Sequence, residues 1–441
     1  MGQMRTSLRV IRLGRHSMLH GARAVPLVDI CAPLSVSAVE LGLVDCRRAD
    51  RVIFYNPSRS TGDEVATNRE PMEFHRRLQG YSVTPLLEAR DLASLLGVGE
   101  VLVKVESERL GLPSFKMLGA SYAVYRALVE RLGHGVEPWR DMADLAHRFE
   151  ALRPLSLVAA TDGNHGRAVA RVAALLGFDA EIFVPRVTSA ERIRSIQDEG
   201  GAVTVVDGTY DDAIARSARE TSARKVLISD TSWPGYEVVP RWVIEGYSTI
   251  WWEVEEQMRR RAGEERGWEA DVLFVQIGVG ALAASAIHHF RSTRLSWNGR
   301  IVGVEPTVAA CALASARAGH PVTIAESQDS IMAGLNCGTP SLVAWPSLKS
   351  GIDAFMTIGD DTAGAAMRRL ASVGVESGES GAAGLAGAMD LLTGDGAIRN
   401  RRELGIGPSA RVLLICTEGA TDRRSYDSIV GHGVASRSSA Q

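Results

Sequence analysis

The stretch Leu155–Pro185 reads "LSLVAATDGNHGRAVARVAALLGFDAEIFVP". Leu155 to Thr161 is an apolar run that enters a turn at Asp162-Gly163-Asn164-His165-Gly166. Apolar residues then recur at helical spacing as far as Gly177, and a second apolar run, 179–185, follows. Strand, helix and strand joined by links this short form a βαβ unit. The alternation continues with a helix over 189–200, a strand over 202–208, a helix over 210–223 and a strand over 225–230. That is the pattern of a parallel, doubly wound sheet.

Outward from this core, "VLVKVE" (101–106) is a strand and 118–133 a helix closed by Gly133. A polar connection, 134–154, separates them from the opening run, and 231–268 is amphipathic and helical. A second α/β set follows, with strands over 271–278, 300–306, 354–359 and 410–419. Helices over 281–291, 309–319, 361–374 and 380–393 lie between them. The fold class is therefore α/β, with two doubly wound parallel-sheet domains and a cleft between them. Ligands in such sheets bind beyond the carboxyl ends of the strands. Residues 51–125 and 235–430 are expected to form a large cofactor-binding domain and 126–234 a small one. Residues 431–441 are expected to be a tail. Residues 1–28 lack Asp and Glu and carry five arginines; 1–50 read as an unassigned extension ahead of the domains.

A chain of 441 residues, 45% hydrophobic with net charge -3, has no basic field for nucleic acid. Its most apolar window, "VLFVQIGVGALAASAI", is broken by Gln276 and two glycines, so it reads as a strand entering a helix rather than a membrane span. None of the five cysteines has CxxC spacing. They fit buried thiols in a reducing cytoplasm, and whether Cys311 and Cys337 pair stays open.

Four loops carry chemistry. In "QIGVGALAAS", Gly278-Val279-Gly280-Ala281-Leu282 joins a strand to a helix, where backbone amides receive an anion. The loop also fits a GxGxxA dinucleotide fingerprint, with Glu305 placed as a ribose acid, so a nicotinamide nucleotide and a phosphate monoester both remain open. In "AATDGNHGRAVA", amides from Asp162 to His165 point beyond the strand at a substrate carboxylate, while helix capping explains Asp162 and Asn164 equally well. In "LPSFKMLGASYA" (112–123), Lys116 stands among small and apolar residues, costly as an unpaired charge but apt as an amine that condenses with an aldehyde. In "LLICTEGATD", Thr417 ends the last strand, where its hydroxyl can meet a ring nitrogen or cap a helix. One ligand with an aldehyde, a phosphate and an aromatic nitrogen serves all four: pyridoxal 5′-phosphate.

The stretches "SFKMLGASYA", "DGNHG", "GVGAL" and "SGESGAAG", in this order, resemble the fold type II (tryptophan synthase β-like) pyridoxal-phosphate enzymes. Within them they are most similar to the diaminopropionate ammonia-lyases. So are "YSVTPLLEARDLA", "DTSWPGYEVVPRWVIEGY", "IMAGLNCGTPS" and "TEGATD". The resemblance covers about residues 70–430. It implies that Lys116 bonds the cofactor aldehyde and that Asn164 contacts the ring oxygen. It implies that residues 278–282 hold the phosphate and that Thr417 faces the pyridine nitrogen.

Serine and threonine deaminases of this fold usually carry Ser where this chain has Asp162. A carboxylate there can take the Cα proton or return a proton to departing ammonia. Asp230, ending "KVLISD", is the second acid; a turn residue is the alternative. The reading is α,β-elimination of 2,3-diaminopropionate, a small amino-acid substrate, to pyruvate and two ammonia. Asp162 and Asp230 serve opposite faces, and Asp162, Gly163 and His165 bind substrate. A cytoplasmic homodimer without metal, membrane or nucleic-acid partner is expected. The rivals are a serine/threonine-type deaminase or β-replacement enzyme of the same fold, an NAD-dependent dehydrogenase, and a silent cofactor-binding protein.

Overall fold

Among the described residues, eleven strands carry the fold: β1 (Ile53–Tyr55), β2 (Leu86–Glu88), β3 (Glu100–Val105), β4 (Ser156–Ala160), β5 (Asp179–Pro185), β6 (Gly201–Val206), β7 (Lys225–Leu227), β8 (Val272–Gln276), β9 (Arg300–Pro306), β10 (Ala354–Ile358) and β11 (Arg411–Cys416). The computed structural model describes residues 51–60, 67–161, 163–262, 269–295, 297–324 and 329–431. The expected extension 1–50, Asp162 and nearly all of the tail fall outside them.

Strands β8 and β10 are buried at every position. Such runs need cover on both faces, which a parallel sheet flanked by helices provides. They belong to a seven-stranded sheet of order β1-β10-β9-β8-β11-β3-β2. Its inner pairings are parallel, whereas β1 and β2 pair antiparallel at the two edges. The sequence reading missed both edge strands, because three residues are too few to show alternation. The second sheet has four parallel strands in the order β6-β5-β4-β7. Both sheets lie in one compact unit.

Several helices also escaped the sequence reading. Met142–Arg148 lies in the polar connection, capped by Asp141, whose side chain accepts from the Asp144 amide. Its seven residues include one buried side chain, too little for an apolar period. Glu70–Arg76, Arg90–Leu96 and Trp345–Gly351 also have seven residues, and Ala397–Leu404 and Arg423–Val430 have eight. The two helices nearest the lysine, Lys116–Leu132 and Val238–Ala262, touch backbone to backbone: a Cβ on Gly246 would lie 2.7 Å from the Leu118 carbonyl oxygen. No helix among the described residues is long and apolar enough to cross a membrane.

The parallel strands end in the loops singled out in the sequence. Beyond β4 come Thr161 and Gly163, beyond β7 Asp230, beyond β8 Gly278–Gly280, and beyond β11 Thr417. Strand β7 is shorter than expected, so Asp230 sits in the bend after it rather than at its end.

Candidate active site

The chain from β3 to Lys116 is set by a two-residue hairpin. Arg109 pairs with Leu112 across Leu110 (φ 55°) and Gly111 (φ 76°). Leucine at positive φ is strained by about 1–2 kcal/mol. A buried ion cluster holds it there. The Arg109 guanidinium donates to Glu106 (2.6 and 2.8 Å) and to both carboxylate oxygens of Glu253 (2.8 Å each) on the helix Val238–Ala262. Lys104 reaches the same Glu253 at 2.6 Å. Next, the Phe115 amide donates to the Thr417 carbonyl at 3.2 Å, and the Gly419 amide to Pro113 at 2.9 Å. The lysine loop is thereby laid along the end of β11, and Lys116 opens its helix facing the cleft.

Lys116 Nζ lies 2.6 Å from Asp230 Oδ2, and the Tyr210 hydroxyl donates to Oδ1 at 3.1 Å. Burial acts to raise the Asp230 carboxyl. The Lys116 ammonium, His165 and hydrogen bonds from Lys116 and Tyr210 outweigh it and hold the group well below the usual carboxylate range. Asp230 is thus an anion at neutral pH. Phe115 and the buried Tyr247, rings 4.7 Å apart, floor the lysine.

Across the cleft, Gly278-Val279-Gly280 leads from β8 into the helix Ala281–Phe290. Gly280 has φ 97°, and a Cβ there would stand 2.6 Å from Leu348 Cδ1. On Gly278 it would approach the Gly334 carbonyl oxygen to 3.0 Å. A side chain on either glycine would crowd these neighbours and shift the loop. The first amides of the helix, Ala281 and Leu282 among them, have no carbonyl four residues back and are donors for an anion. A phosphate suits the cradle, an aldehyde suits Lys116, and the Thr417 hydroxyl offers a polar contact to a ring. The residues present therefore fit pyridoxal phosphate.

Asn164, the first residue of its helix, lines the cleft and donates through Nδ2 to Glu418. Gly163 has φ 151° and its amide donates to Thr161 Oγ1 at 2.9 Å. His165 also lines the cleft, with Nε2 2.8 Å from the Ile228 carbonyl oxygen, which ties the β4 loop to the end of β7. Thr417 Oγ1 lies 3.0 Å from Gln276 Nε2. Gln276, Tyr210, Tyr247, Ser380 and Glu418 line the cleft and were not singled out as site residues. A signal existed for Gln276, the one polar residue in the apolar run of β8.

The dinucleotide reading fails at Glu305. Its carboxylate is fully buried and accepts the amides of Ala312 (2.7 Å) and Leu313 (2.8 Å), so it caps the helix Cys311–Ala318 and reaches no ribose. Burial pushes this carboxyl up to about 8. Cys311 and Cys337 are buried free thiols, as is Cys416.

The class of protein follows from a family model: that for pyridoxal-phosphate dependent enzymes matches residues 77–418. The diaminopropionate ammonia-lyase of Salmonella typhimurium is 36% identical over 374 residues, 82% of this chain and 92% of that protein. That of Escherichia coli is 32% identical over 407 residues, 91% of this chain and 98% of that protein. A crystal structure of the Escherichia coli enzyme with an aminoacrylate-PLP azomethine reaction intermediate superposes with TM-score 0.78, covering 88% of this chain and 99% of that one at 32% identity. The chain belongs to the pyridoxal-phosphate-dependent enzymes of fold type II, in the diaminopropionate ammonia-lyase family.

Proposed function

We propose that the chain eliminates ammonia from 2,3-diaminopropionate and yields pyruvate and two ammonia, with Lys116 and Asp230 at the reacting centre. The contact of Lys116 Nζ with Asp230, 2.6 Å, carries this reading. Pyridoxal phosphate, when bound, supplies an aldehyde that condenses with amines and a conjugated ring that takes up an electron pair from Cα. Lys116 holds the aldehyde end, residues 278–282 the phosphate, and Asn164 and Thr417 the ring.

Asp230 accepts the Cα proton from one face. While Lys116 offers it an ammonium, the carboxylate is a weak base. Once that ammonium is gone, burial, the largest influence on Asp230, pushes its carboxyl back up and strengthens it as a base. Asp162 takes the opposite face and, with Gly163 and His165, binds the substrate. The Cβ–N bond breaks, the amine leaves with a proton from an acid, and the released aminoacrylate hydrolyses to pyruvate and a second ammonia. An amine leaves poorly unless protonated, which gives the Asp162 position its chemical reason.

The sheet membership of the strands supports the division into a large domain (51–125 and 235–430) and a small one (126–234). Buried free thiols support a reducing cytoplasm. The homodimer is tested by light scattering of the purified protein. The function is tested by pyruvate and ammonia release from D- and L-diaminopropionate beside D- and L-serine. A kcat/KM higher for a diamine than for either serine upholds the reading; a preference for serine hands it to the deaminase alternative.

A further inference from the structure

The stretch "SGESGAAG", residues 377–384, holds no residue assigned to cofactor or substrate. Its glycines show what it packs against. A Cβ on Gly381 would lie 2.7 Å from the Glu418 carbonyl oxygen and 3.0 Å from the Glu418 amide nitrogen. One on Gly378 would lie 3.0 Å from Glu418 Oε1, and the Gly378 amide donates to the Glu418 carbonyl at 3.0 Å. The stretch is thus wrapped on Glu418, two positions beyond the end of β11. Glu418 is 3% exposed and borders the cleft. A carboxylate buried this deeply needs hydrogen-bond donors. Its Oε1 accepts the Ser380 amide at 3.0 Å, and its Oε2 accepts from Asn164 Nδ2. The second contact joins the loops of the two sheets, since Asn164 follows β4 and Glu418 follows β11.

The two donors differ in kind. A backbone amide can only donate, so Ser380 keeps Oε1 as an acceptor. The Asn164 side chain can turn either edge outward, a nitrogen that donates or an oxygen that accepts. Against the accepting Oε2 only the nitrogen edge fits. One hydrogen of that nitrogen is then spent on Glu418, and the second is left for the cleft that Asn164 lines. We infer that Glu418 is a positioning residue: it fixes which edge of the Asn164 amide faces it, and so commits the second N–H to the ring oxygen of the cofactor. A donated N–H stabilises that oxygen as an anion, the form that absorbs near the visible rather than in the near ultraviolet. The inference rests on the proposed hold of Asn164 on the ring, and the experiment separates the two.

Apoprotein is titrated with pyridoxal phosphate, followed by protein fluorescence, for the wild type, Glu418→Gln, Asn164→Ala and the pair Asn164→Asp with Glu418→Gln. The absorbance of each loaded protein and the melting temperature of each apoprotein are recorded beside the affinity. In Glu418→Gln the Ser380 amide retains the introduced oxygen, so the introduced NH2 faces Asn164. Asn164 must turn over to accept from it, and its N–H no longer meets the ring oxygen. The expected result is a melting temperature close to the wild type, binding about 2- to 10-fold weaker, the range of one hydrogen bond, and absorbance moved toward the ultraviolet as in Asn164→Ala. The pair exchanges donor and acceptor. It should keep the contact and the melting temperature, yet bind the cofactor at least as weakly as Asn164→Ala. Wild-type affinity and absorbance in Glu418→Gln, beside an impaired Asn164→Ala, overturn the inference alone. A lower melting temperature with unchanged absorbance also overturns it, because Glu418 is then only a brace between loops. Unchanged affinity and absorbance in Asn164→Ala remove the inference together with the ring placement. If Glu418→Gln alone does not fold, the pair decides, and wild-type binding and absorbance there overturn the inference.

Discussion

Lys104 and Lys116 lie twelve positions apart in the chain, each among apolar neighbours and each 2.6 Å from a carboxylate. The first is sealed: its side chain has no exposure, and its three protons meet Glu253, Gln257 (2.9 Å) and the Thr84 carbonyl oxygen (2.9 Å). The second keeps 18% of its side chain exposed, in the cleft opposite the glycine cradle. A buried lysine whose donors are all spent is architecture. A lysine at a cleft wall, with the Asp230 carboxylate holding its amine in reserve, is chemistry. The two are connected, since the cluster around Lys104 and Arg109 shapes the loop that delivers Lys116.

Each member of this comparison can be broken separately. Lys116→Ala should cut turnover further than the about 10²–10⁴-fold typical of losing a proton-transfer group, and should abolish the near-visible absorbance of the cofactor-loaded protein. A variant that kept that absorbance without added amine would show that another residue holds the aldehyde. Asp230→Asn should lower kcat by about 10²–10⁴-fold and do so unequally for D- and L-diaminopropionate. Equal, small losses would reduce Asp230 to a bend residue. Lys104→Met should act on stability instead. Leaving buried carboxylates short of a partner costs about 3–5 kcal/mol, read as a lower denaturant midpoint, while the surviving folded protein keeps its cofactor absorbance.

The smallest effect is in acid. Burial acts to raise Glu253, but Arg109 and Lys104 together bring it down from 4.5 to about 2. A carboxyl depressed on folding stabilises the protein fully above its unfolded value and loses that contribution as pH falls through the folded one. Part of the acid unfolding between about 4.5 and about 2 should therefore vanish in Glu253→Gln, measured as a flatter dependence of the denaturant midpoint on pH. An unchanged slope would mean that Glu253 does not titrate with unfolding.

The same two lysines measure how much was legible in the sequence. Strand and helix alternation gave both sheets, because β4, β5, β8 and β9 are long enough to show their apolar runs. It missed β1 and β2, whose three residues each carry no period. For the site, a lone lysine in an apolar run was an ambiguous signal: "VLVKVE" presents one as plainly as "SFKML". What separates them is the distant Glu253, Thr84 and Gln257, brought in only by folding. Four loops in family order, rather than the lysine itself, made the choice. A simpler clue lies in the lysine count: the chain has only four, at 104, 116, 225 and 349. Glu418 and Tyr247 were invisible for the opposite reason, since nothing in their local sequence distinguishes them from a strand-end acid and a core aromatic.

Those four lysines make the most direct measurement short. The cofactor-loaded protein is reduced with borohydride and digested, and the peptides are weighed. Lys104 is enclosed, Lys225 bridges Glu181 and Glu220, and Lys349 donates to the Gly319 carbonyl. The expected result is the mass of the reduced cofactor on the peptide carrying Lys116 and on no other. The same mass on the peptide of Lys104, Lys225 or Lys349, with Lys116 unmodified, would contradict the assignment of the active site.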